Sequence, residues 1–134
     1  MTDAQGVPLA ARLTAANVND GTQLLDLIDA IPCVRGKVGA PRRRPDAALA
    51  DKAYHSKARA AALRDRGVEP MLPRRGTDED EGLGAARWVV ERTIAWLHQF
   101  RRLRVRYERR ADIHQAFLTL GCILICSRML ADSF

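Results

Sequence analysis

Apolar positions recur at helical spacing in four stretches of the chain and form short extended runs in three others. Asn19-Asp20-Gly21-Thr22 supplies capping side chains ahead of Leu24, Leu25, Leu27, Ile28 and Ile31, which predicts a helix closed by Pro32. Ser56 to Arg66 reads as a second helix, stopped by Gly67. A long amphipathic helix is predicted from Ala85 to Leu103 on the stripe Trp88, Val90, Ile94, Leu97 and Phe100. The last helix, 112–130, is apolar on most sides, so Leu120, Cys122, Ile123 and Cys126 are expected to be buried. Among the extended runs, Val7 to Thr14 follows the turn Asp3-Ala4-Gln5-Gly6 and reads as an edge strand with Pro8 at its start. Ala47 to Asp51 is a short apolar run ending in a carboxylate, and Val68 to Pro73 is strand-like. With the helix between them they make a βαβ unit whose proline-bearing second strand belongs at an edge. Residues 35–46 read as a basic connecting loop and 74–83 as a polar one, in which Asp78-Glu79-Asp80-Glu81 is expected to be solvated.

A chain of 134 residues suggests one domain, and 47% hydrophobic with 28% charged residues excludes a wholly disordered or collagen-like chain. The charge changes the picture more. Lys+Arg 22 against Asp+Glu 16 leaves +6, and Lys37, Lys52 and Lys57 are the only lysines, so the excess is arginine, whose planar fork suits phosphate. Residues 1–35 are mildly acidic, whereas eight arginines (87, 92, 101, 102, 104, 106, 109 and 110) face only Glu91 and Glu108 between positions 87 and 110. Cys33, Cys122 and Cys126 lack metal-ligand or CxxC spacing and read as small core residues of a reduced, cytoplasmic chain. The first ten residues carry no signal-peptide pattern, and the apolar run Ala116 to Cys126 is shorter than a membrane span, so no membrane role is expected.

Candidate chemistry centres on Asp51, at the carboxyl end of a strand expected to be buried, where an ionised carboxylate needs a partner and a metal would serve. The plainer reading is a turn-initiating Asp bonded to nearby backbone. On the long helix, Arg87, Glu91 and His98 share one face, as a surface ion-pair stripe or as part of a site. Two carboxylates on adjacent elements can hold Mg²⁺ for phosphoryl chemistry, which makes Asp51 and Glu91 interesting together. His55, His98 and His114 read as polar-surface or capping residues rather than ligands.

Leu49-Ala50-Asp51-Lys52-Ala53-Tyr54, the run Arg87 to Leu97, Phe100-Arg101-Arg102-Leu103, and Arg106 to His114 together resemble the C-terminal catalytic part of insertion-sequence DDE transposases. Upstream, Ala16-Asn17-Val18-Asn19-Asp20 extends the resemblance, so that it spans nearly the whole chain. It implies an RNase H-like fold, in which three acids hold divalent metal, Mg²⁺ or Mn²⁺, cut phosphodiester bonds at transposon ends and join them to target DNA. Asp51 matches the second family acid and Glu91 the third, within a Y-x2-R-x3-E-x6-K signature of which Arg87 and Glu91 are kept while Gly84 and His98 stand at the flanking places. The first acid, on a strand upstream of this chain's opening hairpin in the family, has no counterpart here: Asp3, Asp20, Asp26, Asp29 and Asp46 all lie in the wrong local context.

The expected fold is therefore α/β, an incomplete RNase H-like domain over residues 1–134: a mixed sheet with flanking helices, its first strand missing. The expected function is DNA transposition, with Asp51 and Glu91 as catalytic metal ligands meeting across a cleft, and with Arg87 and His98 near a phosphate or the metal-bound water. Arg87, Arg92, Arg101, Arg102, Arg104 and Arg106 are the expected DNA contacts. Alone the chain is expected to be inactive, as a frameshift product or a relic awaiting an upstream transposase half or a second subunit. The alternative is a non-catalytic DNA-binding or regulatory module using the arginines of 87–110.

Overall fold

A computed structural model describes residues 1–36, 38–73 and 83–131, and it shows a mixed α/β chain. The elements in order are α1 (Leu24–Asp29), β1 (Ala47–Leu49), α2 (Lys57–Arg64), β2 (Glu69–Met71), α3 (Leu83–His98), α4 (Arg101–Arg104) and α5 (Ala111–Ala131), with short 3-10 turns at Asp20–Gln23 and Lys52–Tyr54. Two compact units form, one from Ala15–Gly84 and one from Met1–Thr14 with Ala85–Phe134.

In the Ala15–Gly84 unit, the Asn19 side chain accepts from the Gly21 amide and starts the helical run that continues as α1. The run ends at Asp29, two residues before the last expected apolar position, Ile31. β1 and β2 pair in parallel with Ala47 opposite Glu69 and Leu49 opposite Met71, and α2 links them, so the βαβ unit read from the sequence is present. Gly67 adopts φ +72 just past α2, a left-handed stop that costs glycine nothing. Leu24, Ile28, Ala48, Leu63 and Val68 are buried and make this unit's core. Asp29 takes Arg66 at 2.9 Å and Arg44 at 3.3 Å. Arg66 lowers the Asp29 pKa through its hydrogen bond, against desolvation.

In the other unit, the expected strand over Val7 to Thr14 is absent: only an isolated antiparallel bridge joins Thr2 to Pro8. Side chains replace the ladder, because the Leu13 amide donates to Gln115 Oε1 at 2.8 Å and Gln115 Nε2 donates to the Ala11 carbonyl at 3.1 Å. The turn before it is fastened to α3. Gly6 sits at φ +87, Thr93 Oγ1 donates to its carbonyl at 2.8 Å, and a Cβ there would stand 2.9 Å from that oxygen.

The long helix expected over 85–103 is broken. α3 stops at His98, Phe100 takes an extended ψ of 116, and α4 restarts at Arg101. Thr93 is buried and Val89, Arg92, Trp96, Leu97 and Phe100 are half-buried on the inner face, whereas Trp88, Val90 and Ile94, expected inside, are exposed. α5 corrects the expectation most. His114, Gly121 and Ile125 are buried and Gly121 lies against Leu97 and Leu103, yet Leu120 and Ile123 are each 55% exposed and Cys122 and Cys126 only half-buried. Ile113, Ala116, Leu120, Ile123 and Leu124 form an exposed apolar face at helical spacing, which Ser127 separates from the exposed Leu130. By length and composition alone α5 would suffice to cross a membrane. Cys33, expected in a core, is exposed, and all three thiols are free. The acidic run Asp78 to Glu81 lies outside the described residues.

Candidate functional site

Asp51 stands two residues beyond the end of β1, at the carboxyl edge of the parallel pair. It is exposed, and only Ala48 of the strand is buried, so no desolvated carboxylate demands a metal there; this corrects the buried-strand premise. Its Oδ1 accepts from the Lys52 amide at 2.6 Å, which starts the following 3-10 turn. His55 Nδ1 lies 3.1 Å from the Leu72 carbonyl, and Arg59 donates to the Tyr54 carbonyl at 3.0 Å, so the β1–α2 connection is tied from both sides. Burial, followed by the charges of Asp20 and Asp51, raises the Tyr54 pKa.

Glu91 projects from the outer face of α3 together with Arg87 and His98, as the spacing requires, and no ion pair joins it to Arg87. The exposed Val90 and Ile94 lie on the same side. The carboxylates of Asp51 and Glu91 are the hard oxygen donors a divalent ion prefers, but they belong to different compact units. Among the described residues, no three His, Cys, Asp or Glu side chains gather where they would hold a metal ion. The donor type fits such an ion, and the donor number falls short.

The arginines divide by what they touch. Arg92 lies 4.5 Å from the Trp88 ring and 4.9 Å from the Trp96 ring, and its Nη2 donates to the Gln5 carbonyl at 2.6 Å, which makes it part of the packing between α3 and the N-terminal turn. Arg102 donates to Glu108 Oε1 at 2.5 Å, and Arg110 pairs with Asp112 at 2.6 Å. Arg101 sits 5.6 Å over the Tyr107 ring, and Arg106 Nε donates to the Glu108 carbonyl at 2.9 Å. Arg87, Arg104 and Arg109 are exposed, and no side-chain partner joins them among the described residues.

Sequence reasoning missed the centre of this arrangement. Glu108 is 8% exposed and His114 10% exposed at the side chain, with Nδ1 and Oε2 3.6 Å apart, so His114 is a buried residue rather than a surface or capping one. Desolvation works against the charged Glu108, but the hydrogen bond and charge of Arg102 and its own backbone amide outweigh it and hold its carboxyl below the usual value. The only available signal was an acid alone among arginines, which reads equally as a surface ion pair.

Residues 1–126 match the family described as "Transposase DDE domain". The chain belongs to that transposase family. It is also 64% identical over 126 residues, 94% of its own length, to a Burkholderia cepacia protein named as a transposase for insertion sequence element IS402. Those residues make up 60% of that relative, so this transposase-family chain matches less than two thirds of its length. No solved structure matches the chain.

Proposed function

We propose that the chain is the part of a DDE transposase that carries the second and third metal-ligating acids, Asp51 and Glu91, and that it serves DNA transposition only once the rest of an RNase H-like domain is supplied. The 64% identity to a transposase-named relative two-fifths of which lies outside the match carries this reading. The unpartnered face of α5 supports it. Leu120, Ile123, Leu124 and Leu130, 48–62% exposed, leave on the order of 3–6 kcal/mol of apolar burial unrealised. Glu91 shares its side of α3 with exposed Val90 and Ile94, the surroundings of a carboxylate meant to end inside a cleft. On this reading α5 is a domain helix that takes further polypeptide, and the chain is cytoplasmic.

In the completed domain Asp51 and Glu91 are two of the ligands for Mg²⁺ or Mn²⁺, which would supply Lewis-acid polarisation of a phosphodiester and an activated water. Arg87 and His98, on the Glu91 face, orient the phosphate. The DNA partners are transposon ends and target. Transposon-end cleavage with Mg²⁺ or Mn²⁺ tests this: the chain alone should leave the DNA intact, and a fusion with the relative's unmatched portion should nick it. Asp51→Asn or Glu91→Gln in the fusion should abolish nicking without unfolding it. Unimpaired cleavage by a variant would remove the substituted residue from the site. The second reading, a non-catalytic DNA-binding module, is favoured by the lack of a three-ligand cluster among the described residues, and an inert fusion that still binds DNA would select it.

A further inference from the structure

The segment joining α4 to α5 is braced from within. Glu108 points inward and takes Arg102 on one carboxylate oxygen, while the other, which has no hydrogen-bond partner among the described residues, faces His114 Nδ1 on α5. The Glu108 carbonyl takes Arg106, and Asp112 neutralises Arg110 at the next turn. Several groups of this stretch face outward, and three of them are set apart by what they do not touch. Arg104 and Arg109 are exposed and unpaired among the described residues, and Tyr107, between them in sequence, is 54% exposed with the Arg101 guanidinium against its ring.

Glu108, buried and paired with Arg102, fixes a loop that presents two free cations and a half-exposed aromatic ring together. Free guanidinium groups bind phosphate, and an exposed aromatic ring among them offers a stacking face that any base fits. Paired bases in a duplex bury their faces in the stack, so a ring of this kind can be used only where a nucleotide is unpaired.

We propose that Arg104, Tyr107 and Arg109 form a contact for the junction between duplex and unpaired DNA, the two arginines on successive phosphates and the Tyr107 ring stacked on an unpaired base. The proposal rests on the DNA reading above and gives it a position and a substrate form. Arg92, Arg102 and Arg110 are structural by their contacts and take no direct part.

Fluorescence anisotropy on the 134-residue chain tests it with a blunt duplex and with the same duplex carrying a single-stranded thymidine tail. The wild-type chain should bind both, the tailed one more tightly. Arg104→Ala with Arg109→Ala should weaken both and reduce the log-log salt slope by roughly 1.8, about 0.9 per phosphate contact. Lys57→Ala with Arg64→Ala, which removes the same charge from α2, should leave that slope near wild type. Tyr107→Ala should weaken the tailed duplex by roughly 5- to 150-fold and spare the blunt one, and Tyr107→Phe should bind as wild type. Equal effects of Tyr107→Ala on both probes, or an unchanged slope after loss of Arg104 and Arg109, would overturn the proposal alone. A wild-type chain that binds neither probe would remove the DNA reading and this contact with it.

Discussion

At Glu108 a single carboxylate sets the acid behaviour of its surroundings. Its folded pKa lies below the ordinary 4.5, so its contribution to stability is complete above that value and is lost as pH falls through the lower folded one. Urea midpoints measured from neutral pH downward should therefore fall less in Glu108→Gln than in wild type, and the two curves should converge in acid. At Thr93 the hydroxyl satisfies the Gly6 carbonyl in a buried position. Thr93→Val should cost about 1–3 kcal/mol in chemical denaturation, and Thr93→Ser markedly less, because serine keeps the donor. The positions of Asp51 and Glu91 were legible residue by residue, as a carboxylate after a short apolar run and one at fixed spacing from Arg87. Their expected joint use came from the family resemblance, because two acids far apart in the chain carry no local mark of a shared ion.

Among the elements, the βαβ unit was readable because its signals are local: an apolar run, a helical stretch stopped by Gly67, and a second run containing Pro70. Gly67→Ala should destabilise the chain by roughly 1–2 kcal/mol, since alanine must adopt the left-handed conformation there, and thermal unfolding would show it. The break between α3 and α4 was not readable, for neither Gln99 nor Phe100 is a helix breaker, and the extended residue at the bend, Phe100, has its ring near Gly121 of a distant stretch of sequence. The strand expected over Val7 to Thr14 failed for a related reason: its extended pattern is real, but its partner is the Gln115 side chain rather than a strand. In α5, apolarity announces a helix that wants burial without saying which polypeptide provides it. Ile125→Ala should cost roughly 2–4 kcal/mol, whereas Leu120→Glu and Ile123→Glu should each change the stability of the isolated chain by no more than about 0.5 kcal/mol.

Across the whole molecule, a positive excess of +6 coexists with sparse burial. Six hydrophobic residues are buried and fifteen large ones exposed among those described. Such a chain should bind the dye ANS strongly, and the fusion carrying the relative's unmatched portion should bind far less of it. Equal dye binding by the two would mean that the added polypeptide does not cover the α5 face. The same exposed helix has a further outcome inside a cell. An exposed apolar surface is what chaperones and proteases sort against, so on the proposed reading co-expression of the complementary polypeptide should raise the amount of this chain in a cell, as quantitative blotting would show.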